Sequence, residues 1–186
     1  MERQLRGNRP DWGGSFGAVL YGVPEQYRAF RDRLRRSARA IGYESLRPGL
    51  LVASSDRWGE LVQLIPDTPE GAQMIRASLS MPAAEAQSLA CRLWDLEALA
   101  HRYRSVLERA YAQMEEVRLN PPHGVAALRS FADTTLPIFE AASADPDLPN
   151  ELLPTSWPGF DTGAALGQAF YLFGPLVEPY LESRAR

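Results

Sequence analysis

The chain has 186 residues, 45% hydrophobic and 23% charged, the balance of an ordinary globular protein long enough to bury a sizeable core. Its net charge of −3 conceals an uneven distribution: residues 1–60 carry 11 Arg against 7 acids, whereas residues 61–186 carry 9 Arg against 16 acids. No apolar run approaches a membrane span, the polar start Met1-Glu2-Arg3-Gln4-Leu5-Arg6 reads as no secretory signal, and the lone Cys91 excludes an intramolecular disulfide, so a reducing cytoplasm is expected.

The run Phe16–Tyr21 is apolar on both alternating faces, which predicts a central, well-covered strand ending at Gly22-Val23-Pro24. Tyr27, Phe30, Leu34, Ala38 and Ile41 then recur every three or four residues, the stripe of an amphipathic helix, with Gly42 placed as its stop. A Pro48-Gly49 turn leads into the short strand Leu50–Ala53, and Asp56 is a candidate cap for a helix through Leu61, Val62 and Ile65. Beyond the breakers Pro66 and Pro69, Gln73–Leu79 alternates as a half-buried strand. Strand, helix, strand, helix, strand predicts a small ferredoxin-like α/β sandwich, assigned to residues 1–80.

From Pro82 the period becomes helical, so residues 81–186 are expected as an all-helical region and the chain as α+β. Leu89 to Val117 forms one long apolar stripe with a break expected near Trp94-Asp95. Asn120-Pro121-Pro122 predicts a cap and first turn, followed by a helix burying Val125, Leu128, Phe131 and Thr135 until Pro137 kinks or ends it. A last helix, capped by Asp161 or Thr162, carries Leu166, Phe170, Phe173, Leu176 and Tyr180, with Gly174-Pro175 as a kink.

Between these helices lies Asp145-Pro146-Asp147-Leu148-Pro149-Asn150-Glu151-Leu152-Leu153-Pro154-Thr155-Ser156-Trp157-Pro158-Gly159. Each proline fixes φ and removes a donor, so no regular element spans it. Its leucines and Trp157 are apolar surface that a solvated linker does not carry. It is read as an ordered loop packed on the C-terminal helices.

Arg28, Arg31, Arg35 and Arg39 follow helical spacing, flanked by Arg33 and Arg36. Such a strip suits nucleic-acid or ligand phosphates; equally, it is a solvated face neutralised by Asp32 and by the acidic C-terminal half. His101, His123 and Cys91 are too few and too scattered for a zinc site, and no metal or cofactor is expected. His101 reads as an exposed, carboxylate-paired residue, and Cys91 as a small buried one. The glycines Gly13-Gly14 precede a strand, whereas a phosphate loop follows one.

The proline segment is similar, nearly residue for residue, to the DP-LP-LLP-WPG signature of PaaX-type repressors of phenylacetic acid degradation. Trp12-Gly13-Gly14 to Tyr21, Arg31–Arg36, Ile41-Gly42-Tyr43 and Pro48-Gly49-Leu50 resemble that family's central domain, and Leu93-Trp94-Asp95-Leu96-Glu97 with Leu99 and Tyr103 its C-terminal region. The resemblance implies a non-enzymatic dimer that responds to phenylacetyl-CoA or a related CoA thioester. Trp94, Tyr103 and Trp157 would then meet the acyl group, and Arg102, or Arg31 and Arg35, the phosphates. In that family a winged helix-turn-helix precedes these parts; with about ten residues ahead of Trp12, the chain is expected to lack its own DNA reader. The central domain also resembles a small CRISPR-adaptation nuclease, which needs an aspartate where this chain has Tyr21-Gly22-Val23. A repurposed metal-dependent nuclease and a nucleic-acid adaptor using the arginine helix are the competing readings.

Overall fold

The computed structural model describes Arg9 and residues 11–184, so the reading of the leader at residues 1–6 lies outside it. The described chain forms two compact units. One runs up to Leu96 and takes in Leu148–Pro154; the other holds Arg9, Glu97–Asp147 and the chain from Thr155 onward.

In the first unit, β1 (Ser15–Gly22), α1 (Arg28–Ala40), β2 (Glu44–Arg47), β3 (Leu50–Ala53), α2 (Trp58–Leu64) and β4 (Gln73–Ser80) follow one another. The sheet order is β2-β3-β1-β4, with every neighbouring pair antiparallel, which is the ferredoxin-like arrangement expected. β1 is central, paired on both edges, and buries Phe16, Ala18 and Val19; its far end is less covered than the sequence suggested, with Leu20 42% exposed. Strand β2 was not visible in the pattern. Glu44–Arg47 contains one aliphatic residue, and only the hairpin at Gly49 (φ +83°) lays it along β3.

Helix α1 packs Phe30, Leu34 and Ala38 into a core with Val19, Tyr43, Leu51, Leu61 and Ile65. Its end is a Schellman motif: Tyr43 N–H donates to Ala38 O (3.0 Å) and Gly42 N–H to Arg39 O (3.0 Å), with Gly42 at φ +91°. Asp56 does serve the following helix, accepting from Trp58 N–H at 3.0 Å. Gly17 permits the chain to pass closely over β1, since a Cβ there would lie 2.5 Å from Ser55 O.

This unit continues through α3 (Ala83–Leu93), so the compact body divides near Leu96 rather than at the residue 80 expected from the sequence. Helix α3 buries Ala86, Leu89 and Ala90, and Gln87 Nε2 donates to Leu153 O at 2.6 Å. Leu148, Leu152 and Leu153 therefore belong with the sheet unit and α3, which corrects their placement on the C-terminal helices. Cys91 is half-buried rather than buried.

The second unit consists of α4 (Leu96–Leu119), α5 (Val125–Ser143) and α6 (Thr162–Arg184). The break before α4 is where the sequence placed it, and Asp95 takes φ +45° there. Helix α5 begins after Gly124 (φ +59°), so Asn120-Pro121-Pro122 lies in the connection and Val125 is exposed. Pro137 sits inside α5 without ending it. Its lost hydrogen bond costs about 3 kcal/mol, which burial of Thr134, Thr135, Ile138, Ala141 and Ala142 around it offsets. The two threonine hydroxyls donate to the carbonyls of Ser130 (2.8 Å) and Phe131 (2.9 Å), so neither is buried without a partner. Helix α6 likewise runs through Pro175 and Pro179, buries Ala165, Ala169, Phe173 and Val177, and leaves Phe170 exposed.

Candidate functional site

A cleft of about 690 Å³ in the sheet unit is lined by Tyr21, Val23, Arg31, Arg35, Ser45, Arg47, Pro48 and Gly49. The local chain dictates this. The Pro48-Gly49 turn is pinned to the end of β1 by Tyr21 N–H donating to Gly49 O (2.8 Å), and a Cβ at position 49 would come within 3.1 Å of Tyr21 O. Pinning the hairpin brings Arg47 beside the first turns of α1. The result is a cleft with cationic side chains on one part of its wall and Tyr21, Val23 and Pro48 on another.

Two arginines of α1 are already paired. Arg31 grips Glu25 through both carboxylate oxygens (2.9 and 3.3 Å), and Arg39 does the same to Glu44 (3.1 and 2.9 Å). The bond from Arg31 holds the Glu25 carboxyl below the usual range. Arg33 lies 5.4 Å over the Phe30 ring. Arg35 and Arg47 have no acidic partner among the described residues. Arg35 also lines a second, smaller cleft of about 270 Å³ with Asp32, Arg36, Arg39 and Glu44. The arginine strip is thus two-natured: ion-paired at Arg31 and Arg39, and without an ion pair among the described residues at Arg35 and Arg47.

Of the aromatic residues singled out from the sequence, the structure unites Tyr103 and Trp157 in the helical unit. Their rings meet edge to face at 5.7 Å, and each is 2% exposed. Gly159 makes this possible, because a Cβ there would lie 2.5 Å from Trp157 Nε1 and 3.2 Å from Tyr103. Trp94 is half-buried in the sheet unit, stacked on Phe16 at 6.3 Å, and Phe16 in turn meets Trp12 at 5.8 Å. Arg102, next to Tyr103 in sequence, is exposed.

Sequence reasoning missed the groups that fix Tyr103. Its hydroxyl donates to Asp145 Oδ2 (2.9 Å), and Arg9 grips both oxygens of the same carboxylate (3.0 and 2.7 Å). The Arg9 and Asp145 side chains are only 4% and 1% exposed. Burial, then the Asp145 charge, pushes the Tyr103 phenol far up, so it is a fixed donor at any physiological pH. Asp145 Oδ1 also accepts from Asp147 N–H (2.9 Å), and Asp147 adopts φ +53°. Asp-Pro-Asp with an N–H two residues on is an Asx-turn pattern, and that signal could have flagged Asp145. Nothing in the pattern points to Arg9.

At the place where a ferredoxin-like nuclease carries its metal-binding aspartate, β1 ends in Tyr21-Gly22. The next carboxylate along the chain, Glu25, is engaged by Arg31. Among the described residues, no group of three His, Cys, Asp or Glu side chains comes together as metal ligands, and His101 and His123 are both exposed. Among the described residues, no helix is long and apolar enough to cross a membrane.

Comparison with known proteins agrees with this geometry. Residues 9–88 match the model of the PaaX protein central Cas2-like domain, and residues 94–183 match the PaaX-like protein C-terminal domain. No curated protein matches the chain. A solved structure of an uncharacterized protein from Mycobacterium tuberculosis shares the fold, with 19% identity and a TM-score of 0.52 over 97% of this chain and 69% of that one. Together, the ferredoxin-like sheet, the helical region after it and the two matched domains place this chain in the PaaX family of transcriptional regulators.

Proposed function

We propose that this chain is the regulatory and dimerisation part of a PaaX-like repressor, cytoplasmic and non-enzymatic, whose effector is an aryl- or acyl-CoA thioester such as phenylacetyl-CoA. In this reading the sheet unit pairs two copies, and the operator is bound through a reader domain distinct from the two that match. The observation that carries the effector is the cleft beside α1. Arg35 and Arg47 lack acidic partners there and stand beside Arg31, next to an apolar wall of Tyr21, Val23 and Pro48. Guanidinium groups make paired, charge-assisted bonds to phosphate oxygens, and CoA is both phosphate-rich and amphipathic.

Of the six residues nominated from sequence, Arg31 and Arg35 are the two that share an open cleft. Tyr103 and Trp157 contribute by packing on each other, and a ligand reaching them would have to separate two rings that are now closed to solvent. The reading therefore puts the phosphates at Arg31, Arg35 and Arg47. Titration calorimetry with phenylacetyl-CoA, other acyl-CoAs and free CoA tests it. Binding that weakens in Arg35→Ala and Arg47→Ala supports the assignment. Heat with none of these ligands, up to high micromolar concentrations, removes the effector reading and leaves the family membership standing.

A further inference from the structure

The helical unit carries an apolar groove that the regulatory reading does not use. Helices α5 and α6 form it from Leu128 and Phe131 on one side and Phe170, Phe173, Val177 and Leu181 on the other, enclosing about 470 Å³. Phe131 meets Phe170 at 5.2 Å and Phe173 at 5.7 Å, making an aromatic floor. Phe170 and Leu181 remain 54% and 52% exposed and stand together in this one groove rather than singly, which is what marks an interaction surface. At Gly174 the floor is open, since a Cβ added there would meet nothing within 4 Å. Along one rim stand Glu178 and Glu182, one helical turn apart on the same face of α6, with no cationic partner among the described residues.

We propose that this groove is a docking site for an amphipathic helix of another protein that carries arginine or lysine beside its apolar stripe. Two features select that occupant. From Phe170 to Glu182 the groove extends about 18 Å along α6, the length of roughly three helical turns, so a helix laid along it presents a full i, i+3, i+4, i+7 set. The paired carboxylates on the rim favour cations at that edge, and they disfavour a neutral or acidic helix. Residues 97–186, with 12 acids against 7 Arg, extend the same preference to longer range.

The test uses the full chain and two synthetic peptides, each about 15 residues long, with one Leu/Phe stripe and either Arg or Glu on its flank. Fluorescence anisotropy is expected to show the Arg peptide binding at roughly the micromolar level and the Glu peptide at least tenfold more weakly. In the double variant Glu178→Lys, Glu182→Lys that order should invert. Both positions are exposed, so the fold should survive, which a thermal melt checks. Gly174→Leu, which fills the open floor, should weaken both peptides. Equal binding of the two peptides to the wild-type chain, or binding of neither, overturns the proposal. So does a self-association in sedimentation that Phe170→Ser abolishes, which would show that a second copy covers the groove.

Discussion

Arg9 and Arg39 each hold a carboxylate through two hydrogen bonds at nearly equal distances, yet they differ in what they do for the protein. The Arg9–Asp145 pair is almost entirely out of water, and the Tyr103 hydroxyl shares the same carboxylate. Arg39 is 74% exposed, so solvent screens its attraction to Glu44. In the buried pair each charge has been stripped of water and depends on its partner; in the exposed pair each could fall back on solvent. Identical geometry therefore does not imply identical weight. The buried pair fixes where the proline segment begins, and through Tyr103 it sets the surface on which Trp157 lies.

The comparison is broken most severely at Asp145. Asp145→Ala removes the carboxylate that a buried guanidinium and a buried phenol share, and should cost about 3–5 kcal/mol in urea or thermal unfolding. The double variant Arg9→Met, Asp145→Leu removes both charges and should recover much of that loss; if it unfolds as easily as the single variant, the pair contributes more than mutual compensation. Trp157→Ala opens a cavity against Tyr103 and should also cost about 3–5 kcal/mol. At Gly159, Gly→Ala forces a methyl group against the indole, with an expected cost of about 1–3 kcal/mol in the same assays.

A smaller effect is expected in alkali. The folded protein keeps the Tyr103 proton that the unfolded chain releases near the ordinary value of 10.0. Stability from this group is thus complete below pH 10 and falls as the pH rises past it. Melting temperatures from pH 9 to 11 should decline less steeply in Tyr103→Phe than in the wild type. Tyr43, pushed up by its own burial in the sheet unit, supplies part of the remaining decline. At the other extreme, Arg39→Ala should leave the melting temperature unchanged within error, and added salt should do likewise. A clear loss there would mean that exposed pairs on α1 matter to folding as the buried one does.

Much of the architecture follows from local pattern. The alternation at Phe16–Tyr21, the stripe from Tyr27 to Ile41 and the stop at Gly42 each encode one element through the periodicity of side-chain burial, and each stands where expected. The proline signature and the arginine strip were also readable, because they depend on residue type and spacing alone. What failed did so where non-local contacts decide. Strand β2 has no apolar alternation of its own and exists through its pairing with β3. At Pro137 the local pattern left a kink or an end open, and the packing around it decides that the helix continues.

The sequence by itself determined the α+β class, the order of most elements and the membership of the PaaX family, since periodicity, breakers and an unusual proline spacing are properties of consecutive residues. Only the tertiary structure decided that Leu148–Pro154 belongs with the sheet unit, that Arg9 and Asp145 meet across 136 positions, and that Arg31 and Arg35 share a cleft with Arg47. Those are choices among many possible partners for a charge or an apolar surface. Burial and chain closure select the partner, and neither is written in the neighbours along the chain.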